Sequence, residues 1–233
     1  MSEVTPATRL RPWHDEQLRQ VIAACVTLGF AVGVYGISFG VASIGAGATI
    51  AQTCAISLLV FTGASQFSAV GVLANGGSPL AAFGGAAVLA ARNGVYGFAM
   101  ASRLDGSLAR RMLAAQLTID ETTAMAAAQD DRRHAQWAFW ITGASVYVFW
   151  NVGTLVGALI GSAIDPETFG LDAAFPAAFV AMLWPLLAER RHLRAAAVGA
   201  VVCLVLTPFT PVGVPILAAT AGIAMGLRDG GDE

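Results

Sequence analysis

The chain has 233 residues, of which 56% are hydrophobic and 12% charged, with a net charge of −2 and a mean hydropathy of +0.67. A soluble domain carries about a quarter charged residues, so a soluble fold is excluded, and the near-neutral charge offers no electrostatic footprint for nucleic acid. Across residues 20–102 the single charged residue is Arg92, a run several times the ~20 apolar residues that cross a bilayer. The composition predicts an all-α, polytopic integral membrane protein.

In chain order, residues 1–20 are polar and the first apolar stretch, 21–44, ends at Gly45-Ala46-Gly47. No small-residue cleavage site follows a short apolar core there, so this stretch is expected to stay as an anchor. The second stretch, 49–74, ends at Asn75-Gly76-Gly77-Ser78-Pro79, and the third covers 80–102. A weaker stretch, 112–129, is bracketed by Arg110-Arg111 and Arg132-Arg133; strong ones follow at 135–164 and 173–188. The last, 195–227, is interrupted by Thr207-Pro208-Phe209-Thr210-Pro211 and by Pro215. Those prolines remove backbone donors and divide it into two short helices. The expected organisation is a polar N-terminal segment (1–20), one transmembrane transport domain (21–227) and a polar tail (228–233). The domain is a helical bundle of about seven membrane segments, six to eight in range, some broken or re-entrant. No soluble domain is expected at either end, which puts the activity in the membrane.

Arginine placement sets orientation. Arg-bearing flanks occur at Arg9, Arg11 and Arg19, at Arg103, Arg110 and Arg111, at Arg132 and Arg133, and at Arg190, Arg191 and Arg194. The loop 165–172 is acidic and lacks Arg, and is expected on the opposite face. Three crossings after Arg19 would put Arg103 on the wrong side. Either an early segment is re-entrant, or 112–129 crosses and leaves Arg103 to Arg111 outside. An internal repeat is also suggested: residues 80–86 resemble 172–178, each after a Gly-bearing helix starting near Phe61 or Phe149.

The densest polar cluster within an apolar stretch is Phe61-Thr62-Gly63-Ala64-Ser65-Gln66-Phe67. Gly63 and Ala64 permit close backbone approach, Thr62 and Ser65 can satisfy backbone groups freed by a helix break, and Gln66 brings an amide where lipid offers no partner. The cluster reads either as a broken-helix binding pocket walled by Phe67 or as a polar helix–helix contact. Arg92 is followed by Asn93 and, one turn on, by Tyr96 on the same face. Its guanidinium fork suits a carboxylate, of a solute or of an acidic side chain; the alternative is snorkelling to an interface. Asp120 and Glu121 sit near the middle of 112–129. If that stretch crosses, they are natural partners for Arg92 or carriers of a coupling proton; if it lies on the surface, they are solvated acids. Asn151, in Trp150-Asn151-Val152-Gly153-Thr154, reads as a second wall of the site or as packing glue.

Enzyme chemistry finds no constellation here. Cys25, Cys54 and Cys203 are far apart in apolar stretches, and His14, His134 and His192 lie in Arg-bearing flanks, so no zinc or disulfide spacing arises. No phosphate loop or nucleophile–base pair is present, and no cofactor is expected.

Five ordered motifs carry a family resemblance. Phe61 to Phe67 resembles the signature of the AzlC family, the large subunits of two-component branched-chain amino acid transporters. Ala91-Arg92-Asn93-Gly94-Val95-Tyr96-Gly97 is similar to its Arg–Tyr-Gly segment, and Ile119-Asp120-Glu121-Thr122 to its Asp-Glu-Thr segment. Phe149 to Thr154 and Gly170-Leu171-Asp172-Ala173-Ala174-Phe175 resemble its later helices. The likeness runs over residues 29–226. It departs at Ala90 and Asn93, where the family pattern has Asn and His. The resemblance implies export of leucine, isoleucine and valine, with methionine as a further substrate, driven by the proton gradient across the inner (cytoplasmic) membrane. It also implies a hetero-oligomer with a small AzlD-like membrane subunit. On this reading Arg92 holds the carboxylate or an internal acid, the Thr62–Phe67 break forms the pocket, and Asp120 or Glu121 carries coupling. The alternative is a channel-like or structural subunit whose partner supplies the transport site.

Overall fold

The computed structural model describes residues 15–163, 180, 184–211 and 214–219. The expected N-terminal segment up to residue 14, the acidic loop 165–172, the second repeat copy 172–178, the Gly170–Phe175 motif and the tail 228–233 lie outside the described residues, as does most of the 173–188 stretch. The described residues form only helices: α1 (Glu16–Gly45), α2 (Ile50–Val60), α3 (Gly63–Ala74), α4 (Pro79–Ala101), α5 (Leu108–Leu117), α6 (Asp120–Ala127), α7 (Arg132–Ala163), a 3₁₀ turn (Trp184–Ala188), α8 (Arg190–Leu206) and α9 (Val214–Ala219). Two of them, α1 and α7, are long and apolar enough to cross a membrane.

Those two helices form the spine. They run parallel, with Gly29 against Ser145, Gly33 against Phe149, Gly40 against Thr154 and Gly161 against Val41 and Ile44. The seam is built from Gly29-x-x-x-Gly33 and Gly36-x-x-x-Gly40 on α1 and Gly153-x-x-x-Gly157-x-x-x-Gly161 on α7. Small residues one turn apart let two backbones touch where lipid supplies no hydrophobic drive. A Cβ on Gly153 would lie 2.0 Å from the Gly33 carbonyl oxygen, and one on Gly157 2.0 Å from that of Ile37. Two hydrogen bonds pin the seam's first turns: Cys25 Sγ donates to the Ala138 carbonyl at 3.7 Å, and Ser145 Oγ to that of Cys25 at 3.1 Å. Asp131 starts α7, and the His134 backbone N–H donated to its carboxylate at 2.9 Å holds its pKa below the usual range.

The stretch read as one segment over 49–74 is two helices. Thr49 opens α2 with a capping box shared with Gln52. The helix then descends α7, with Ser57 bonded to Thr154 and the Leu58 carbonyl accepting from Tyr147 Oη at 3.1 Å. At Phe61 the backbone turns left-handed (φ 34°), the one non-glycine residue to do so among the described residues. Then α3 doubles back. Gln66 Nε2 donates to the Ile56 carbonyl at 3.1 Å, although ten residues along a continuous helix would separate them by about 15 Å. Phe67 lands beside Tyr35 and Phe39, with ring centroids 5.6 and 5.5 Å away. At 11 and 12 residues, neither limb reaches across a ~30 Å hydrocarbon core.

Ser78 caps α4, with Pro79 in its first turn, and α4 packs along α3 toward the start of α7. There Arg103 Nη1 donates to the carbonyls of Ala126 (2.9 Å) and Gln129 (3.2 Å), and Gln136 donates to the Arg103 carbonyl. Those bonds bring the two ends of 103–129 together. The stretch 112–129 therefore neither crosses nor lies flat as expected. It is a second hairpin, α5 up and α6 back, broken at Thr118–Ile119. The physical reason is polar: Thr118, Asp120, Glu121 and Thr122 interrupt an apolar run too weak to span.

The two fold-backs resolve the arginine puzzle. The first limb pair enters and returns, so Arg103 falls at the same end as Arg19. Ion pairs mark that end: Arg132 with Asp105 at 2.5 Å and Arg133 with Asp15 at 3.6 Å. One part of the suggested repeat is corrected: α3 starts two residues after Phe61, but no helix starts near Phe149, which lies inside uninterrupted α7. The prolines do stop α8 at Leu206.

Gly153→Val and Gly157→Val are expected to drive α1 and α7 apart. Overpacking of about 1–3 kcal/mol should appear as lost monodisperse protein on size exclusion in detergent. Gly94→Ala, where an added methyl meets nothing within 4 Å, should change stability by less than about 1 kcal/mol.

Candidate functional site: a cavity between two helix breaks

The tips of the two hairpins meet halfway along α7. Gln116 Nε2, near the end of α5, donates to the Leu58 and Leu59 carbonyls at 3.4 and 3.1 Å. Thr122 Oγ1 donates to the Leu117 and Ile119 carbonyls and accepts from the Ile119 N–H, which fastens the second tip. Phe61 stacks edge-on against Tyr147, centroids 4.8 Å apart. Between the tips lies a cavity of about 340 Å³, within the size range of small-ligand sites.

Its chemistry is divided. Val32, Tyr35, Phe61, Ile119, Val146 and Trp150 supply an apolar wall, with Ala31 and Ala64 completing it. The polar side is Thr62, Gly63, Arg92, Asp120 and Glu121. Arg92 Nη1 lies 2.6 Å from Asp120 Oδ2, each side chain a little over one-third exposed, at 35% and 38%. Glu121 is next to this pair and has no ion-pair partner among the described residues. Two helix N-termini open here. That of α3 has no side-chain cap: the Thr62 hydroxyl bonds to Ser65 Oγ at 3.2 Å, and the Thr62 carbonyl takes the N–H groups of Ser65 and Gln66. The N–H groups of Gly63 and Ala64 are left as the first-turn donors, at the positive end of the helix dipole.

The expected site residues separate into two tiers. Thr62, Gly63, Arg92, Asp120 and Glu121 line the cavity together. Tyr96 lies within electrostatic range of Arg92 and Asp120. Ser65, Gln66 and Phe67 are buried behind the α3 tip. Gln66, 1% exposed, spends its amide N–H on holding the hairpin closed. Asn151 donates to Tyr147 of its own helix at 2.8 Å, and Asn93 Oδ1 is buried without a partner among the described residues; neither lines the cavity. Tyr35 and Trp150 escaped the sequence reading as site residues. The Tyr35 hydroxyl and Trp150 Nε1 are buried with no partner among the described residues. Trp150 was visible as part of a motif; Tyr35 gave a weaker signal, a lone tyrosine in the first apolar stretch.

Arg92→Gln alone is expected to lower stability by roughly 1–3 kcal/mol, below the 3–5 of a fully buried pair because this one is part-exposed. Adding Asp120→Asn should restore most of the loss in a thermal unfolding series, whereas adding Glu121→Gln should not. Gln66→Leu should weaken the hairpin by about 1 kcal/mol and reduce yield.

The AzlC protein family model matches residues 27–164, a span that includes both breaks, Arg92 and Asp120. A protein of Bacillus subtilis (strain 168), "Branched-chain amino acid transport protein AzlC", is 24% identical over 218 residues, covering 89% of this chain and 81% of that one. An "Uncharacterized membrane protein" of Helicobacter pylori (strain ATCC 700392 / 26695) is 26% identical over 176 residues, 73% of this chain and 77% of its own. No solved structure matches. With more than half its length matched, this chain belongs to the AzlC family.

Proposed function

We propose that the chain is a secondary transporter that exports branched-chain amino acids, coupled to protons, in company with a small AzlD-like membrane subunit. The observation that carries this reading is the Arg92–Asp120 pair, set in a cavity between two interrupted helices. Interrupted helices aim fixed backbone dipoles at a solute without exposing unsatisfied groups to lipid. A carboxylate fits against the Gly63 and Ala64 N–H groups and the Arg92 fork. A branched aliphatic side chain fits against Val32, Val146 and Ile119, with Phe61, Tyr35 and Trp150 closing the wall. The amino group faces Glu121. The name of the Bacillus subtilis relative supports the same substrate class.

Coupling follows from competition. A solute carboxylate on Arg92 displaces Asp120, and an unpaired carboxylate at this depth is costly. The displaced Asp120, or Glu121 beside it, then takes up a proton, which travels with the change of access. Ser65, Gln66 and Phe67 hold the pocket's tip, and Asn93, Tyr96 and Asn151 support the pair and α7. On this reading the protein is multi-pass in the cytoplasmic membrane, and the clustering of Arg19, Arg103, Arg132 and Arg133 supports a cytoplasmic side for that end. Export and the small subunit are what the family resemblance implies. The mechanism uses no cofactor.

The test is counterflow of labelled leucine in proteoliposomes, with and without the partner subunit. Arg92→Gln is expected to abolish counterflow in protein that still folds when paired with Asp120→Asn. Asp120→Asn or Glu121→Gln should flatten the pH dependence. Normal transport with unchanged pH dependence in both acid variants would overturn the coupling scheme. Full activity of the chain alone would overturn the two-component reading.

A further inference from the structure

A second cavity, of about 440 Å³, opens at the arginine-rich end. Its walls come from the last turns of α4 (Gly97, Met100, Ala101), the loop carrying Leu104, Asp105 and Gly106, and the face of α5 bearing Arg111, Ala114, Ala115 and Thr118. Two features make it more than a surface groove. First, it abuts the central cavity: Thr118 lines one and its neighbour Ile119 the other, so the α5–α6 tip is the partition between them. Both cavities also share α4 as a wall, Arg92 in one and Gly97 in the other. Second, its charges do not cancel. Asp105 is neutralised by Arg132 at 2.5 Å. Arg110, beside Arg111, turns away to lie 5.2 Å over the Trp140 ring. Arg103 is engaged by the carbonyls that end α6. Arg111 lines the cavity with no ion-pair partner among the described residues.

We propose that this cavity is a water-filled, anion-selecting vestibule, an entry subsite in which Arg111 receives a solute carboxylate before it passes the Thr118–Ile119 tip to Arg92. The inference rests on the transport reading for its destination but not for its chemistry. A lone guanidinium in a water-filled cleft with low-dielectric walls concentrates anions, and a second guanidinium beyond the partition gives the same group a place to go. The small side chains of Gly97, Ala101 and Ala115 leave room for a solute in the vestibule itself.

The test is cysteine accessibility, with the parent chain as control for its native thiols. Ala115→Cys and Ala101→Cys are placed in the vestibule and Phe98→Cys on the outer face of α4, where Phe98 is 86% exposed. Each is treated, in vesicles that present the arginine-rich end, with an anionic sulfonate-bearing and a cationic trimethylammonium-bearing methanethiosulfonate. Both vestibule positions should react and Phe98→Cys should not, because charged reagents do not enter lipid. Relative to each reagent's rate with a small free thiol in solution, the anionic reagent should be favoured about three- to tenfold, and Arg111→Gln should erase that preference. Leucine should slow the reaction at Ala115→Cys. Failure of either vestibule position to react would mean that lipid or protein fills the cleft and would overturn the proposal. Equal rates for the two reagents, each taken relative to its rate with a small free thiol in solution, would overturn it as well. An Arg111-dependent anion preference that no branched-chain amino acid affects would uphold the vestibule and instead overturn the substrate reading above.

Discussion

Everything in this fold leans on the backbone contact between α1 and α7. Glycines on each helix face carbonyl oxygens on the other at distances that admit no Cβ. In a bilayer, where apolar burial gives helices little reason to associate, such contact is what makes a stable pair. The pair then serves as a fixed post. Along it hang two hairpins, each too short in either limb to cross by itself, and each ending at the same height on α7. The arrangement solves an accounting problem. A helix that stops inside a membrane leaves backbone carbonyls and N–H groups unpaired. Here the Ile56, Leu58 and Leu59 carbonyls near the end of α2 are taken by Gln66, Gln116 and Tyr147, and the turn before α6 is closed by Thr122. On the proposed function, the N–H groups that open α3 are the ones left to a solute.

That asymmetry gives the site its polarity. Backbone donors and one guanidinium favour an anion on one side of the cavity; aromatic and β-branched side chains favour an aliphatic group on the other. The left-handed Phe61 shows the strain such a turn carries. A non-glycine residue in that region costs of order 1–3 kcal/mol, offset here by the ring's contact with Tyr147. The arginine–aspartate pair adds a switchable element. Part-exposed to the cavity, it is accessible to a competing carboxylate, yet neither member can stand alone at low cost.

Much of this was legible from residue types alone. An uncharged run with one arginine declares a membrane chain, and the Thr-Gly-Ala-Ser-Gln cluster marks either a helix break or a polar helix–helix contact. The Arg92–acid partnership follows from the cost of a single buried charge. Three features were not legible. Hydropathy cannot distinguish a crossing from an entry and return, since 49–74 is long enough for either; only the Gln66–Ile56 bond, a tertiary fact, decides it. Conversely, 112–129 is weakly apolar whether it folds back or lies flat. The glycine seam was present as spaced glycines, but in a chain with 26 of them the spacing does not stand out until a partner helix is known. Gln66 illustrates the same limit inside the site: an intramembrane amide needs a partner, and sequence does not say whether that partner is a solute or a carbonyl ten residues back.

In the proposed mechanism a solute carboxylate and Asp120 compete for Arg92. Proton uptake when leucine binds to the purified assembly, followed in weakly buffered solution with a pH indicator, reads that competition. Binding is expected to take up protons, and Asp120→Asn to bind leucine with that uptake reduced or lost. Leucine binding by the parent protein with no proton uptake across the range from mildly acidic to mildly alkaline pH would contradict it.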